Sequence, residues 1–208
     1  MKQKIILFGG TFDPIHQGHL LVADSAIQQI HAEKIIFIPA RRSPHKNFLP
    51  VADGDMRLEM ISIAIADKDK YTVSDCELKR PEPSFTLDTI RNIKSEYPKN
   101  SLFYWLLGAD MVKDLPKWHK IHELIDECHL CVMLRPGFEQ PSFSKFEPIL
   151  GLQRVKKLEK NVILTPLVDV SSTKIRQQLA LKQDIQSMVP PKVLVYIQKN
   201  GLYLGCKA

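Results

Sequence analysis

Four cysteines in 208 residues are too few to frame a fold. Disulfide scaffolds belong to short, cysteine-dense chains, so Cys76, Cys128, Cys131 and Cys206 exclude that class. Cys128 and Cys131 have CxxC spacing, but no second pair completes a four-thiolate zinc site and the pair enters an apolar stretch. Buried thiols are the expectation. Long hydrophobic runs are missing as well. None reaches the ~20 residues that span a bilayer, and the charged start lacks the apolar core of a signal peptide. A cytoplasmic chain without a membrane partner is expected. There is no internal repeat, no low-complexity tract, no GxGxxG and no GxxxxGK followed by Ser or Thr. Acid excess is lacking too. Lys+Arg outnumber Asp+Glu by 29 to 23, a net charge of +6, which suits an anionic partner. The basic residues are scattered, with short clusters at Arg41-Arg42, His45-Lys46 and Lys156-Lys157. With no recognisable RNA- or DNA-binding module, a nucleic-acid-binding protein is the weaker reading.

Hydrophobic residues make up 44% of the chain, enough for a buried core in one domain. Residues 4–8 read as a buried strand, 20–30 as a helix with Leu20, Ala23, Ala26, Ile27 and Ile30 on one side, and 34–38 as the next strand. Strand, helix and strand make a right-handed βαβ unit. Further along, helices are expected at 55–66 and 85–97, the second capped by Ser84, with a short strand at 71–74 and a loop at 75–83. A central strand at 102–107 is followed by a helix at 120–127 and a strand at 130–134. Residues 136–148 read as a mobile surface insertion, 162–165 as a strand, and 172–181 and 191–199 as closing helices. The alternation predicts an α/β fold, Rossmann-like and doubly wound. Its sheet is mostly parallel with helices on both faces, and 171–208 form a helical C-terminal portion of the single domain. Ligands of such folds bind beyond the C-terminal ends of the strands.

The most informative segment lies there. Gly9-Gly10-Thr11-Phe12-Asp13-Pro14-Ile15-His16-Gln17-Gly18-His19 joins the first strand to the first helix. Two glycines allow a tight turn and close approach of a phosphate, and Asp13-Pro14 is itself a turn former. His16 and His19 flank the helix start three residues apart, so both imidazoles can face one point and donate to phosphate oxygens. Ser171-Ser172-Thr173-Lys174-Ile175-Arg176 opens a later helix after a predicted strand. Its cap, free N–H groups and Arg176 form a second anion site. Lys46, in the long polar loop after the second strand, adds a cation, and Arg41 and Arg42 either do the same or solvate that loop. Arg57, early in its helix, has the length to reach back. Asp110 ends the central strand, placed to bind a ribose hydroxyl, to hold Mg²⁺ through water or to cap the next helix. Thr86 begins another helix, and Trp118 can stack on a planar base or pack against the sheet.

The stretches GGTFDPIHQGH at 9–19, PHK at 44–46, SFTLDT at 84–89, GADMVKDLPKWH at 108–119 and VSSTKIR at 170–176 closely resemble the nicotinate-nucleotide adenylyltransferase family of the HxGH nucleotidyltransferases. They cover most of the chain in the expected order. The resemblance implies transfer of the adenylyl group of ATP, with Mg²⁺, to nicotinate mononucleotide in NAD biosynthesis. It implies that His16, His19, Lys46 and Arg176 are catalytic. Gly9, Gly10, Thr11, Phe12, Asp110, Ser171, Ser172 and Thr173 join the two histidines and Arg176 around ATP. Lys46, Thr86, Trp118 and His119 receive the mononucleotide, with Trp118 stacking on the pyridine. A sister enzyme acting on pantetheine phosphate would carry Thr at position 16 and lack the Trp118-His119 context. A preference for the amide mononucleotide, and the oligomeric state, are left open.

Overall fold

The computed structural model describes residues 2–42, 49–134, 141–166 and 168–204. Strand β1 (Lys4–Gly10) is apolar because both its faces are covered: Ile5, Ile6 and Leu7 have no exposed surface. Each such side chain contributes about 1.5–3 kcal/mol on burial. Helix α1 (Gln17–Ile30) starts earlier than its apolar spacing suggests and buries Leu20, Ala23, Ala26 and Ile30 of the expected stripe, while Ile27 is half-buried. Strand β2 (Lys34–Pro39) follows. Helix α2 (Gly54–Ile65) is capped by Asp53, whose carboxylate accepts the Met56 N–H at 2.7 Å. Strand β3 (Tyr71–Val73) precedes α3 (Cys76–Lys79), a single helical turn inside the expected loop.

Helix α4 (Thr86–Lys94) is shorter than predicted. Phe85, not Ser84, occupies its N-cap and gives no side-chain cap. Strand β4 (Leu102–Gly108) runs into a 3₁₀ helix over Ala109–Lys117, an element not expected there, which buries Val112 and Leu115. Helix α5 (Ile121–Glu127) leads to β5 (His129–Leu134). The mobile insertion expected at 136–148 fails over its described part: Phe143 and Phe146 are buried, and residues 144–146 turn into helix α6 (Glu147–Leu150). The rest of that segment, 136–140, lies outside the described residues. Helix α7 (Leu152–Glu159), strand β6 (Val162–Leu164), α8 (Ser172–Ala180) and α9 (Pro191–Lys199) complete the order.

Among the described residues the six strands lie in the order β3-β2-β1-β4-β5-β6. Parallel pairing runs from Lys4↔Leu102 to Leu7↔Trp105, from Tyr104↔His129 to Gly108↔Met133, and from Val132↔Val162 to Leu134↔Leu164. This is the doubly wound order of Rossmann-like sheets. The chain divides into two compact units: Met1–Gly9, Val22–Ile36 and Phe85–Leu167 in the first, and Gly10–Leu21, Phe37–Ser84 and Val168–Ala208 in the second. Helices α8 and α9 therefore belong to the second unit, where α9 packs on α2. No helix among the described residues is long and apolar enough to cross a membrane.

Candidate active site

In the second unit the chain leaves β1 through a turn that its own backbone polarity organises. The Gly10 carbonyl accepts the Ala40 N–H at 2.9 Å. Phe12 adopts φ 49°, a left-handed conformation that a bulky residue rarely takes, and its ring is 1% exposed. That ring lies edge-on to His19, with centroids 4.9 Å apart, and packs on Phe37. Phe12 thus forms a floor beneath the His19 ring, its own side chain closed to solvent.

His16 precedes α1 and His19 lies in its first turn. Their rings stack at 3.7 Å with a 23° interplanar angle. The His16 backbone N–H donates to His19 Nδ1 at 3.3 Å. An accepting Nδ1 leaves the ring proton of neutral His19 on Nε2, where it can be donated to a phosphate oxygen. Gly18 makes room for this arrangement: a Cβ there would stand 3.0 Å from His16 Nδ1.

Three carbonyls of the turn are tied down from different directions. Arg57 Nη1 donates to Thr11 O at 2.8 Å, Arg176 Nη1 to Asp13 O at 2.7 Å, and Ser172 Oγ to Pro14 O at 2.9 Å. Ser171 caps α8 by accepting the Lys174 N–H at 3.1 Å, as its sequence predicts. Arg176 also reaches Thr173 Oγ1 at 3.4 Å and keeps its side chain 16% exposed, so it faces both the turn and solvent. The second anion motif and the first are therefore brought together.

Asp13 was expected only as a turn former. Its buried carboxylate instead accepts Val51 N–H at 2.7 Å, Ala52 N–H at 3.1 Å and the Tyr203 hydroxyl at 2.8 Å. Arg57 does reach back, but into the interior: its guanidinium bridges the Ala52, Thr11 and Ala40 carbonyls at 2.8–3.1 Å. Burial pulls the Arg57 pKa down, opposed by the negative charge of Asp13. Burial, then the Asp13 charge, pushes the Tyr203 phenol far up, so it stays a neutral donor. Sequence spacing signals Arg57 only weakly and Tyr203 not at all, because Tyr203 meets a residue 190 positions away. Arg41 and Arg42 turn to the segment 78–82: Arg41 donates to the Leu78 and Arg80 carbonyls, and both lie within 3.7 Å of Glu82. Lys46 lies outside the described residues.

The remaining candidates belong to the first unit. Gly9 backs onto Trp105, where a Cβ would meet the indole at 2.4 Å. Asp110 is exposed and folds over Gly108; a Cβ on Gly108 would stand 2.3 Å from its Oδ1. Thr86 is the first residue of α4, a helix start with no side-chain cap. His119 is exposed and stacks on Phe85 at 4.2 Å and 20°, which sets its ring beside that start. Trp118 is buried, with 8% of its surface exposed, and its backbone N–H donates to Leu115 O. Cys128 and Cys131 are buried free thiols, as expected. Burial pushes Cys128 up to about 12 and Cys131 higher still, so neither forms a thiolate near neutrality. Among the described residues no group of three or more His, Cys, Asp or Glu is placed to hold a metal ion.

The cytidylyltransferase-like family model matches residues 7–178. The chain is 40% identical to the probable nicotinate-nucleotide adenylyltransferase of Clostridium tetani, over 98% of this chain and all of that protein. It is 38% identical to the protein of the same description from Thermus thermophilus, over 96% of this chain and 99% of that one. Among solved structures, the nicotinic acid mononucleotide adenylyltransferase of Plasmodium falciparum complexed with NaAD superposes with a TM-score of 0.71. It is 24% identical and covers 97% of both chains, a likeness of fold.

Proposed function

The chain belongs to the nicotinate-nucleotide adenylyltransferase family, and from that membership we propose how its residues divide the reaction. The enzyme transfers the adenylyl group of ATP to nicotinate mononucleotide, giving nicotinate adenine dinucleotide and pyrophosphate. A phosphate oxygen of the mononucleotide attacks the ATP α-phosphorus in line. The new P–O bond forms as the α–β anhydride bond breaks, and pyrophosphate leaves with the electron pair. The attacking oxygen is already ionised, so no strong general base is needed. Placement and relief of like charge are what remain for the protein.

The stacked His16–His19 pair above a pinned turn is the observation that carries the assignment. His19, with its proton on Nε2, donates to the reacting phosphate. His16, Gly9, Gly10, Thr11 and the Phe12 backbone line the triphosphate. Ser171, Ser172 and Thr173 at the start of α8, with Arg176 and Lys46, counter the charge that grows on pyrophosphate. Thr86 and His119 receive the pyridine carboxylate: an uncapped helix start favours an anion over a carboxamide. Stacking of Trp118 on the pyridine requires one buried indole face to open, which a change in Trp118 fluorescence on adding nicotinate mononucleotide would report. Mg²⁺ uses one or two carboxylates together with phosphates and waters, and the exposed Asp110 fits that donor set through water. The ion supplies charge neutralisation on the phosphates. Use of ATP supports the cytoplasmic location expected from the sequence.

The test is pyrophosphate release from ATP and Mg²⁺ with nicotinate or nicotinamide mononucleotide as acceptor. A higher kcat/KM for the acid is expected, and equal values would reject the carboxylate pocket. In the same assay His19→Ala should lose about 10²–10³-fold in kcat with little change in KM. An unchanged kcat would remove His19 from the chemistry.

A further inference from the structure

The Arg57 guanidinium is a fully buried cation, 2% exposed, that donates to three neutral carbonyls. Leaving a guanidinium in the interior is costly unless its N–H groups are satisfied. Here they are satisfied by three points the sequence scatters: Thr11 in the turn, Ala40 just after β2 and Ala52 just before α2. The counter-charge comes from Asp13, the next but one residue after Thr11. Asp13 is in turn held by the N–H groups of Val51 and Ala52 and by the hydroxyl of Tyr203, itself 4% exposed. Arg176 adds its bond to the Asp13 carbonyl. The glycine–histidine turn is thus fastened from behind by the buried Arg57 and Tyr203, and from the solvent side by Arg176.

We infer that Arg57 and Tyr203 are positioning residues for the triphosphate, acting through the Thr11 carbonyl and the Asp13 carboxylate. The inference rests on reading the glycine–histidine turn as the ATP phosphate site. A charged donor on Thr11 O polarises the Thr11–Phe12 peptide, which makes the Phe12 N–H on its other side a stronger donor. It also fixes the plane of that peptide next to the strained Phe12. The Tyr203 hydroxyl and the Ala52 N–H hold Asp13 Oδ1 while the Val51 N–H holds Oδ2, and together they restrain the carboxylate from turning further toward the Arg176 guanidinium, 3.9 Å from Oδ2. Arg176 then keeps donors available for a phosphate. Removing the hydroxyl loosens one of the three bonds on the carboxylate, so Asp13 draws closer to Arg176 and takes up part of its charge.

The experiment is calorimetric titration of wild type, Arg57→Lys and Tyr203→Phe with α,β-methylene-ATP and Mg²⁺, beside thermal melts and steady-state kinetics. Lysine keeps the charge but cannot span three carbonyls, and phenylalanine keeps the ring but not the hydroxyl. Each variant should bind one analogue per chain with Kd raised about tenfold, the scale of one lost charge-assisted hydrogen bond. KM for ATP should rise more than KM for the mononucleotide. Variants that melt earlier yet bind as tightly as wild type would show a structural role alone and overturn the inference. If Arg57→Lys does not fold, Tyr203→Phe decides, since it removes one oxygen. Failure of wild type to bind the analogue would sink the phosphate-site reading and this inference together. Normal analogue binding with no turnover of nicotinate mononucleotide would sink only the acceptor assignment and leave the inference standing.

Discussion

Gly18 is the residue whose smallness the chemistry uses most directly. It lies in the first turn of α1, where helix propensity alone favours alanine by up to about 1 kcal/mol. The missing Cβ leaves room for the His16 ring, which would otherwise be met at 3.0 Å by Nδ1 and 3.1 Å by Cε1. Gly18→Ala should therefore separate stability from activity. The melting temperature should hold or rise slightly, while kcat falls about tenfold as the imidazole shifts by a few tenths of an ångström. Circular dichroism melts with steady-state assays check both halves, and a variant with full kcat would mean that the His16 ring tolerates the shift. Gly108 makes the same kind of room for Asp110, and Gly9 for Trp105. In none of the three did the sequence show which side chain takes the space. The neighbour that needs the space lies up to 96 positions away in the case of Gly9 and Trp105.

Helix α8 shows what a cap does at the scale of an element. Ser171 satisfies the Lys174 N–H, and the next residue, Ser172, bonds the Pro14 carbonyl. The helix start therefore doubles as a fastening of the glycine–histidine turn. Ser171→Ala should cost about 1 kcal/mol in urea unfolding, the usual value of such a cap. It should also weaken ATP binding, because fraying of the first turn loosens Arg176, five residues from the cap. A stability loss with unchanged KM for ATP would confine Ser171 to capping. This element was legible beforehand: serine, short apolar period and preceding strand all pointed one way. The 3₁₀ helix after β4 and the single turn α3 were not. Four residues are too few for α3 to show a period, and the helical spacing of Met111, Val112 and Leu115 lies in a stretch that Pro116 interrupts.

For the molecule as a whole, pH provides a readout of stability that does not depend on substrate. His129 sits opposite Tyr104 in the β4–β5 register and stacks on it at 4.7 Å. Burial first, then the charge of Lys157, holds its pKa below the ordinary 6.5. Below about pH 6.5 the unfolded chain takes up a proton that the folded one refuses, so stability falls as pH drops until the lower folded pKa is passed. His129→Gln should flatten that slope between about pH 7 and pH 5 in urea midpoints. An identical slope in the variant would place the titration elsewhere. Asp126 and Glu127 act at more acidic pH: hydrogen bonds from Arg154 and Arg91 hold their pKa values down. Their contribution is present above the ordinary carboxylate range and lost as pH falls through the lowered values.

The local pattern by itself determined the strands, most helices, the α/β alternation and the two anion motifs. Each of these depends on near neighbours in the chain: apolar spacing, glycine at a strand end, serine before a helix. The motif likeness carried the reaction, and family membership agrees with it. Only the tertiary structure decided that Phe12 is a floor, that Arg57 turns inward to three carbonyls, and that Tyr203 holds Asp13. Buried polar groups must find partners wherever folding brings them, and those partners leave no periodic trace in the sequence. The residues proposed to touch phosphate were readable because that chemistry demands particular types. The residues that aim them were not, because many side chains could satisfy a carbonyl and only the fold selects which one does.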